Sequence, residues 1–201
     1  MRYFRFRHCK CGLVVVAAAL VLAACGHMPV PSMIKLARID FAKTDPAQVR
    51  AAVKLPRTVK PRPQGVALRI GVKLASGHEE FADFTLREVS DPKDLLDLRQ
   101  ELDASSHIFA YRLDQKEAAR LAAFRDGLEK KQAASGGKGG ALTIAIRPDA
   151  CRTGELSGRA LSFTTYLRTA ETAGYVPLAR DVDLRTLVPR DDVAAAIAPC
   201  E

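Results

Sequence analysis

The residues Val66-Ala-Leu-Arg-Ile-Gly-Val-Lys-Leu74 alternate strictly between large apolar side chains and small or charged ones. Side chains on a β-strand point alternately to opposite faces, so this stretch predicts a strand with one buried and one solvent-facing side. The turn residues Ser76-Gly77-His78 follow, and residues 81–89 continue with Phe84 and Leu86 on one face. The two segments together predict an antiparallel hairpin.

Further elements are predicted on both sides of this hairpin. Apolar alternation predicts strands at residues 33–41, 105–113, 142–151, 159–168 and 175–179. Helical spacing and capping residues predict helices at 46–54, 91–102, 115–133 and 190–197. Residues 55–65 hold three prolines and three cationic side chains and are interpreted as an extended basic connection. We therefore expect an α+β fold, a mostly antiparallel sheet with two or three helices packed on one face.

The first 25 residues have the three parts of a secretory signal. A basic start is followed by the apolar run 13–24, which ends in Leu22-Ala-Ala before Cys25. This segment resembles the signal peptide of bacterial lipoproteins. The resemblance implies cleavage before Cys25, a diacylglyceryl thioether on its sulfur and acylation of the new amino group. The apolar run of 12 residues is too short to cross a hydrocarbon core of about 30 Å as a helix, so the acyl chains would be the anchor.

The same resemblance sets the expected organisation and location of the chain. Residues 1–24 are expected to be removed, residues 25–32 to form a lipidated tether, and residues 33–201 to form a single domain. In the enteric lipoproteins that this segment resembles, an aspartate after the cysteine favours retention in the inner membrane. Gly26 occupies that position here, which predicts the periplasmic side of the outer membrane, with the inner membrane as the alternative.

Positive charge is concentrated in the N-terminal part of the chain. The formal net charge of +8 falls to +4 without residues 1–24, and residues 35–62 alone carry +6. Residues 63–201 carry −2, so nucleic acid is not an expected partner. The basic stretch is a candidate contact with anionic head groups, another anionic envelope component or another envelope protein. The alternative is a solvated tether and strand face. The contact candidates are Lys54, Arg57, Lys60 and Arg62.

Two cysteines, Cys151 and Cys200, remain besides Cys25 after the expected cleavage. Disulfides persist in an oxidising, exported compartment, so one bridge between these two is expected. A reactive thiol pair is the alternative, but redox sites use the close Cys-x-x-Cys spacing, which is absent here.

Catalytic and metal-binding motifs are weak throughout the sequence. There is no His-Glu-x-x-His pattern, the Gly-Glu-Leu-Ser-Gly stretch at 154–158 lacks nucleophile-elbow spacing, and the serine and lysine at 135 and 138 are separated by glycines. No metal site, cofactor or catalytic set is therefore predicted. The polar and aromatic side chains of the last hairpin are a candidate interaction surface, with ordinary hairpin packing as the alternative. They are Arg168, Glu171 and Tyr175.

These observations favour a lipid-anchored cell-envelope protein without catalysis, with a structural, assembly or binding role. One alternative is an accessory subunit of an envelope transporter that binds a lipid or small ligand against the apolar face of the sheet. A second is a hydrolase whose site forms only in the fold, which would need His78 or His107 beside a serine or carboxylate.

Overall fold

The computed structural model describes residues 28–74, 77–134, 140–156, 161–187 and 196–201. The described strands are β1 (Arg50–Pro56), β2 (Val59–Leu74), β3 (Glu79–Val89), β4 (Ser106–Leu113), β5 (Gly140–Arg152), β6 (Ser162–Arg168) and β7 (Val176–Asp183). The α-helices are α1 (Val30–Leu36), α2 (Pro92–Leu96) and α3 (Gln115–Ala134). Short 3-10 turns occur at Pro46–Gln48, Arg99–Glu101 and Leu184–Leu187.

The seven strands form one antiparallel sheet in the order β5-β2-β3-β4-β1-β6-β7. The edge strand β5 approaches β6 and the other edge strand, β7. The sheet therefore curls into a nearly closed, barrel-like layer. Its concave side holds the main core, to which all seven strands contribute buried side chains, among them Val53, Leu68, Phe84 and Leu167.

The predicted α+β architecture is wrong, because the helices do not share one face of an open sheet. Leu121 of α3 belongs to the core inside the curl and is 5% exposed. Leu98, which follows α2, packs on the opposite, convex side against Ala52 and Tyr166. Sequence periodicity identifies which side of each element is apolar, but it does not show how far a sheet curls or which side a helix covers.

The hairpin that starts from Val66 is confirmed. Strands β2 and β3 pair antiparallel with Leu68 opposite Phe84 and Ile70 opposite Ala82. The predicted strand at 105–113 and the long predicted helix at 115–133 are also present, as β4 and α3.

Two predictions near the start of the domain are wrong. The strand expected at 33–41 is replaced by α1, whose first turn contains Pro31 at a position where proline's fixed φ suits a helix. The helix expected at 46–54 is a 3-10 turn followed by β1. Ala51 and Ala52 face opposite sides of the sheet and are both fully buried, so packing on two faces overrides the helical preference of alanine.

The predicted basic connection at 55–65 is largely β-structure. Residues 59–61 of β2 pair with β5, and the register shifts between Pro61 and Val66. Gln64 has a positive φ of 57° in this irregular segment. Proline lacks the N–H needed by a central strand, so it is tolerated where a strand is paired on one side only. The N-terminal part of β2 meets this condition.

Strand β4 pairs with only the end of β3, at residues 86–89. Helix α3 covers the rest of that edge of β3. The Glu117 carboxylate accepts the Thr85 N–H at 3.0 Å, and Lys131 Nζ lies 2.6 Å from Glu80 Oε1. Arg120 stacks on the Phe84 ring at 4.7 Å. Covering a free strand edge with a helix satisfies backbone groups that would otherwise be open to another chain.

The expected disulfide is present and joins Cys151 at the end of β5 to Cys200. The Cys200 N–H also donates to Arg152 O at 2.9 Å, and the Arg152 N–H donates to Ala198 O at 3.0 Å. The C-terminus is thereby fixed to β5. The helix predicted at 190–197 overlaps residues 188–195, which lie outside the described part of the chain.

Candidate functional site

An open cleft of about 600 Å³ lies where β2 and β3 separate. Residues 79–85 of β3 pair with β2, whereas residues 86–89 pair with β4. Residues 59–61 of β2 pair with β5 instead, so a gap opens between β2 and β3. Side chains from β2, β3, β4 and the start of α3 line this gap.

The buried wall of the cleft contains Tyr111, which is 3% exposed. Its hydroxyl has no hydrogen-bond partner among the described residues. Burial raises the pKa of this phenol, and the negative charge of Glu88, opposite Tyr111 in the β3–β4 register, raises it further. The hydroxyl therefore remains protonated and able to donate at neutral pH.

Four cationic side chains line the same cleft: Lys60, Arg62, Arg87 and Lys116. Within the described ranges, Lys60, Arg87 and Lys116 form no ion pair, and Arg62 Nε lies 3.5 Å from the exposed Asp149 Oδ1. Sequence analysis identified Lys60 and Arg62 as contact candidates, and the structure brings them together in this cleft. Arg87 and Lys116 were missed.

Two of the acidic side chains in the cleft already have partners. Asp114 accepts the Glu117 N–H at 2.9 Å at the start of α3, and Glu117 pairs with Arg120 at 2.9 Å. Glu88 is the remaining carboxylate of the lining and is exposed. The lining thus holds four cations and three carboxylates, a small excess of positive charge, and of these carboxylates Glu117 pairs with a cation.

The other two basic contact candidates have structural partners instead. Lys54 Nζ lies 2.7 Å from Asp103 Oδ2, and the Lys54 side chain is only 20% exposed. The Arg57 guanidinium donates to Ala104 O at 2.6 Å. Both side chains tie residues 103 and 104 to the sheet, and Arg57 is exposed.

The three candidate residues of the last hairpin do not form one surface. Arg168 lies 3.0 Å from Asp94 and 3.1 Å from Asp97, and it stacks on the Tyr175 ring at 5.3 Å. Burial raises the pKa of Tyr175 to about 12. Glu171 lies apart from this group and accepts a hydrogen bond from the Thr44 hydroxyl at 2.8 Å.

Arg168 and Tyr175 are part of a wider ion-pair cluster on the convex side of the sheet. Arg180 donates to both carboxylate oxygens of Glu101, at 2.9 and 3.0 Å, and the Tyr166 hydroxyl donates to the same carboxylate at 2.9 Å. These pairs fasten the segment that contains α2 over Ala52 and Tyr166. These contacts agree with the alternative interpretation of Arg168 and Tyr175, which was ordinary packing of the hairpin.

Neither of the two domain histidines lines the cleft, although His107 neighbours the lining residue Phe109. His78 is exposed in a turn, with Nε2 3.6 Å from Glu80 Oε1, and the exposed His107 ring packs beside Phe109 at 6.3 Å. No group of three histidine, cysteine, aspartate or glutamate side chains within the described ranges could hold a metal ion.

A small cavity lies between α3 and the concave side of the sheet. The cavity between α3 and the sheet, lined by Ile70, Leu121 and Leu167, has a volume of only about 30 Å³. That volume is about that of one water molecule and far below the several hundred cubic ångströms of a typical small-ligand pocket. This cavity does not provide the lipid-sized pocket that the transporter-subunit alternative required.

Helix α1 exposes an apolar face that sequence analysis missed. Val30, Met33 and Ile34 are 69%, 50% and 62% exposed. Residues three and four apart lie on the same side of a helix, so the three form one patch. The segment was predicted as a strand, so its helical spacing was not considered and the patch was not predicted. The lipidation candidate Cys25 lies outside the described residues.

No helix in the described ranges has the length and hydropathy to cross a bilayer. Comparisons with models of known protein families, with characterised proteins and with solved structures find no match to this chain.

Proposed function

We propose that this chain is a lipid-anchored cell-envelope protein that acts without catalysis, as a binding or assembly partner at the periplasmic face of a membrane. The sequence Leu22-Ala-Ala-Cys25 supports the anchor, and the outer membrane is the proposed location because Gly26 follows the cysteine. The Cys151–Cys200 disulfide agrees with an oxidising compartment.

The exposed apolar patch of α1 is the observation that carries the proposal. Val30 follows Cys25 by five residues, which span at most about 18 Å when fully extended. An acylated Cys25 would therefore hold α1 at or near the lipid head groups. A short helix with exposed apolar side chains can bury them about 5–10 Å deep at the boundary between head groups and acyl chains. The patch formed by Val30, Met33 and Ile34 fits such a surface.

The cleft beside Tyr111 supports a binding role over a purely structural one. It combines an open volume of about 600 Å³ with cationic side chains that have no internal ion-pair partner within the described ranges. The alternative of a transporter subunit that binds its ligand against the apolar face of the sheet has weaker support, because the cavity between α3 and the sheet measures only about 30 Å³. The alternative of a hydrolase has weaker support, because His78 and His107 are not among the lining residues of the cleft.

Three variants test the proposal, with membrane fractionation, palmitate incorporation and hydrogen exchange on vesicles as the measurements. Cys25→Ala is expected to prevent lipidation and to leave an unprocessed or soluble form without incorporated palmitate. Met33→Asp combined with Ile34→Asp is expected to leave lipidation intact. This double variant should also reduce the protection of α1 in hydrogen exchange on vesicles, because two charged side chains would replace two apolar side chains of the patch that enters the membrane.

The matched control is Leu96→Asp combined with Leu102→Asp, which alters two other exposed apolar residues, 52% and 53% exposed. This control should retain both palmitate and α1 protection. Palmitate that persists in Cys25→Ala would contradict the anchor. Equal α1 protection in the Met33/Ile34 variant and the wild type would contradict the membrane contact of α1.

A further inference from the structure

We propose that the cleft between β2 and β3 binds a phosphate-bearing ligand of about the size of a sugar phosphate, with the Tyr111 hydroxyl donating to the phosphate. The proposal does not depend on lipidation, because each part of the cleft belongs to the folded domain.

Tyr111 supplies the strongest argument. A buried polar group without a hydrogen bond is costly, and most such groups in folded proteins have a partner. The Tyr111 hydroxyl is buried in the wall of the cleft and has none among the described residues. Tyr111 lines the cleft, so a ligand oxygen that reaches its hydroxyl would supply the missing partner.

The charges of the lining select the class of ligand. A phosphate monoester carries nearly two negative charges at neutral pH and three acceptor oxygens, so it can use several cations and a neutral donor together. Lys60, Arg87 and Lys116 are the cations without an internal ion pair in the described part of the cleft. Lys60 belongs to β2, Arg87 to β3 and Lys116 to α3. The one exposed carboxylate, Glu88, can accept from a sugar hydroxyl.

The size of the cleft agrees with this ligand class. Its volume of about 600 Å³ falls within the range of small-molecule sites, about 300–1,000 Å³. Inorganic phosphate would fill only a small part of it, so a larger organic portion is expected. The organic portion would contact Phe109 and Pro61, which also line the cleft.

Calorimetric titration of the full chain in neutral detergent tests the proposal. Glucose 1-phosphate is expected to bind saturably, glucose not to bind, and glucuronate, which carries one negative charge, to bind more weakly. Tyr111→Phe should weaken the binding of glucose 1-phosphate about ten-fold or more, the loss typical of a hydrogen bond to a charged group. Its melting temperature should remain unchanged or rise, because the hydroxyl has no described internal partner to lose.

Two charge variants separate the cleft from general electrostatics. Lys116→Gln removes a cation of the cleft, whereas Lys130→Gln removes an exposed cation elsewhere on α3. The first should weaken the binding of glucose 1-phosphate several-fold, and the second should leave it unchanged. Equal effects of the two variants would overturn the assignment of the cleft.

The phosphate has two potential sources, a soluble sugar phosphate or a phosphorylated lipid head group. Phosphatidylcholine vesicles with and without phosphatidic acid distinguish them, with Cys25→Ala in both arms so that acylation does not contribute. Binding that depends on phosphatidic acid and is lost in Tyr111→Phe assigns the head group, and binding of glucose 1-phosphate alone assigns the soluble form. The absence of both, or wild-type binding by Tyr111→Phe, would overturn the proposal.

Discussion

The substitution Arg168→Ala tests the ion-pair cluster on the convex side of the sheet. We expect it to lower the free energy of unfolding by about 2–4 kcal/mol. The Asp94 side chain is only 12% exposed, with Oδ1 3.0 Å from the Arg168 guanidinium. Removing one partner of a buried ion pair typically costs about 3–5 kcal/mol, because the other charge stays buried. Arg50 Nε, 3.6 Å from the same oxygen, retains part of the compensation and lowers the expected cost.

Urea unfolding at pH 7 with the disulfide intact measures this cost. A double-mutant cycle with Asp94→Ala should give a coupling energy of about 1–3 kcal/mol, since the two side chains are in direct contact. The control Arg185→Ala removes an exposed arginine that pairs with Asp183, two residues away, and should leave the unfolding midpoint unchanged within error. A cost for Arg168→Ala as small as that of the control, or a coupling energy near zero, would contradict a stabilising ion pair between Arg168 and Asp94.

Three further predictions concern stability. Replacing Cys151 and Cys200 by serine should lower the free energy of unfolding in denaturant by about 4 kcal/mol, the chain-entropy value for a loop closed over 49 residues; no loss would contradict the bridge. Hydrogen bonds from Arg180 and Tyr166 lower the pKa of Glu101, so its contribution to stability is present above the unfolded pKa of about 4.3 and is lost as the pH falls through the folded pKa. Glu101→Gln should therefore flatten the fall in stability between about pH 5 and 3, and an unchanged pH profile would argue against it. Ala52→Leu should lower the free energy of unfolding by about 1–3 kcal/mol, because Ala52 has no exposed surface between Leu98 and Tyr166, and a neutral effect in urea unfolding would contradict this packing.

Sequence periodicity predicted elements whose pattern arises within one segment. The alternation of 66–74 and the helical stripe of 115–133 survive in β2 and α3 because each buries one face. Periodicity predicted a helix where β1 lies, because the Ala-rich sequence of β1 forms a strand only where β4 and β6 flank it. The curl of the sheet is a tertiary property, since it depends on the approach of β5 to β6 and β7. Residue patterns do not encode that approach.

The candidate site was predictable only in part. Lys60 and Arg62 were identified because they belong to a local run of positive charge. Tyr111 was interpreted as a strand residue, and no local signal shows that its hydroxyl lacks a described partner. Arg87 and Lys116 join the site only because β3 and α3 meet β2 at the cleft. A site formed by four elements can be recognised only after the fold is known.

The mass of the N-terminal peptide from the membrane-extracted protein tests the proposed anchor most directly. We expect this peptide to begin at Cys25 and to carry a diacylglyceryl group on sulfur and a further acyl chain on its amino group. A mature chain that retains residues 1–24, or a peptide with an unmodified Cys25, would contradict it.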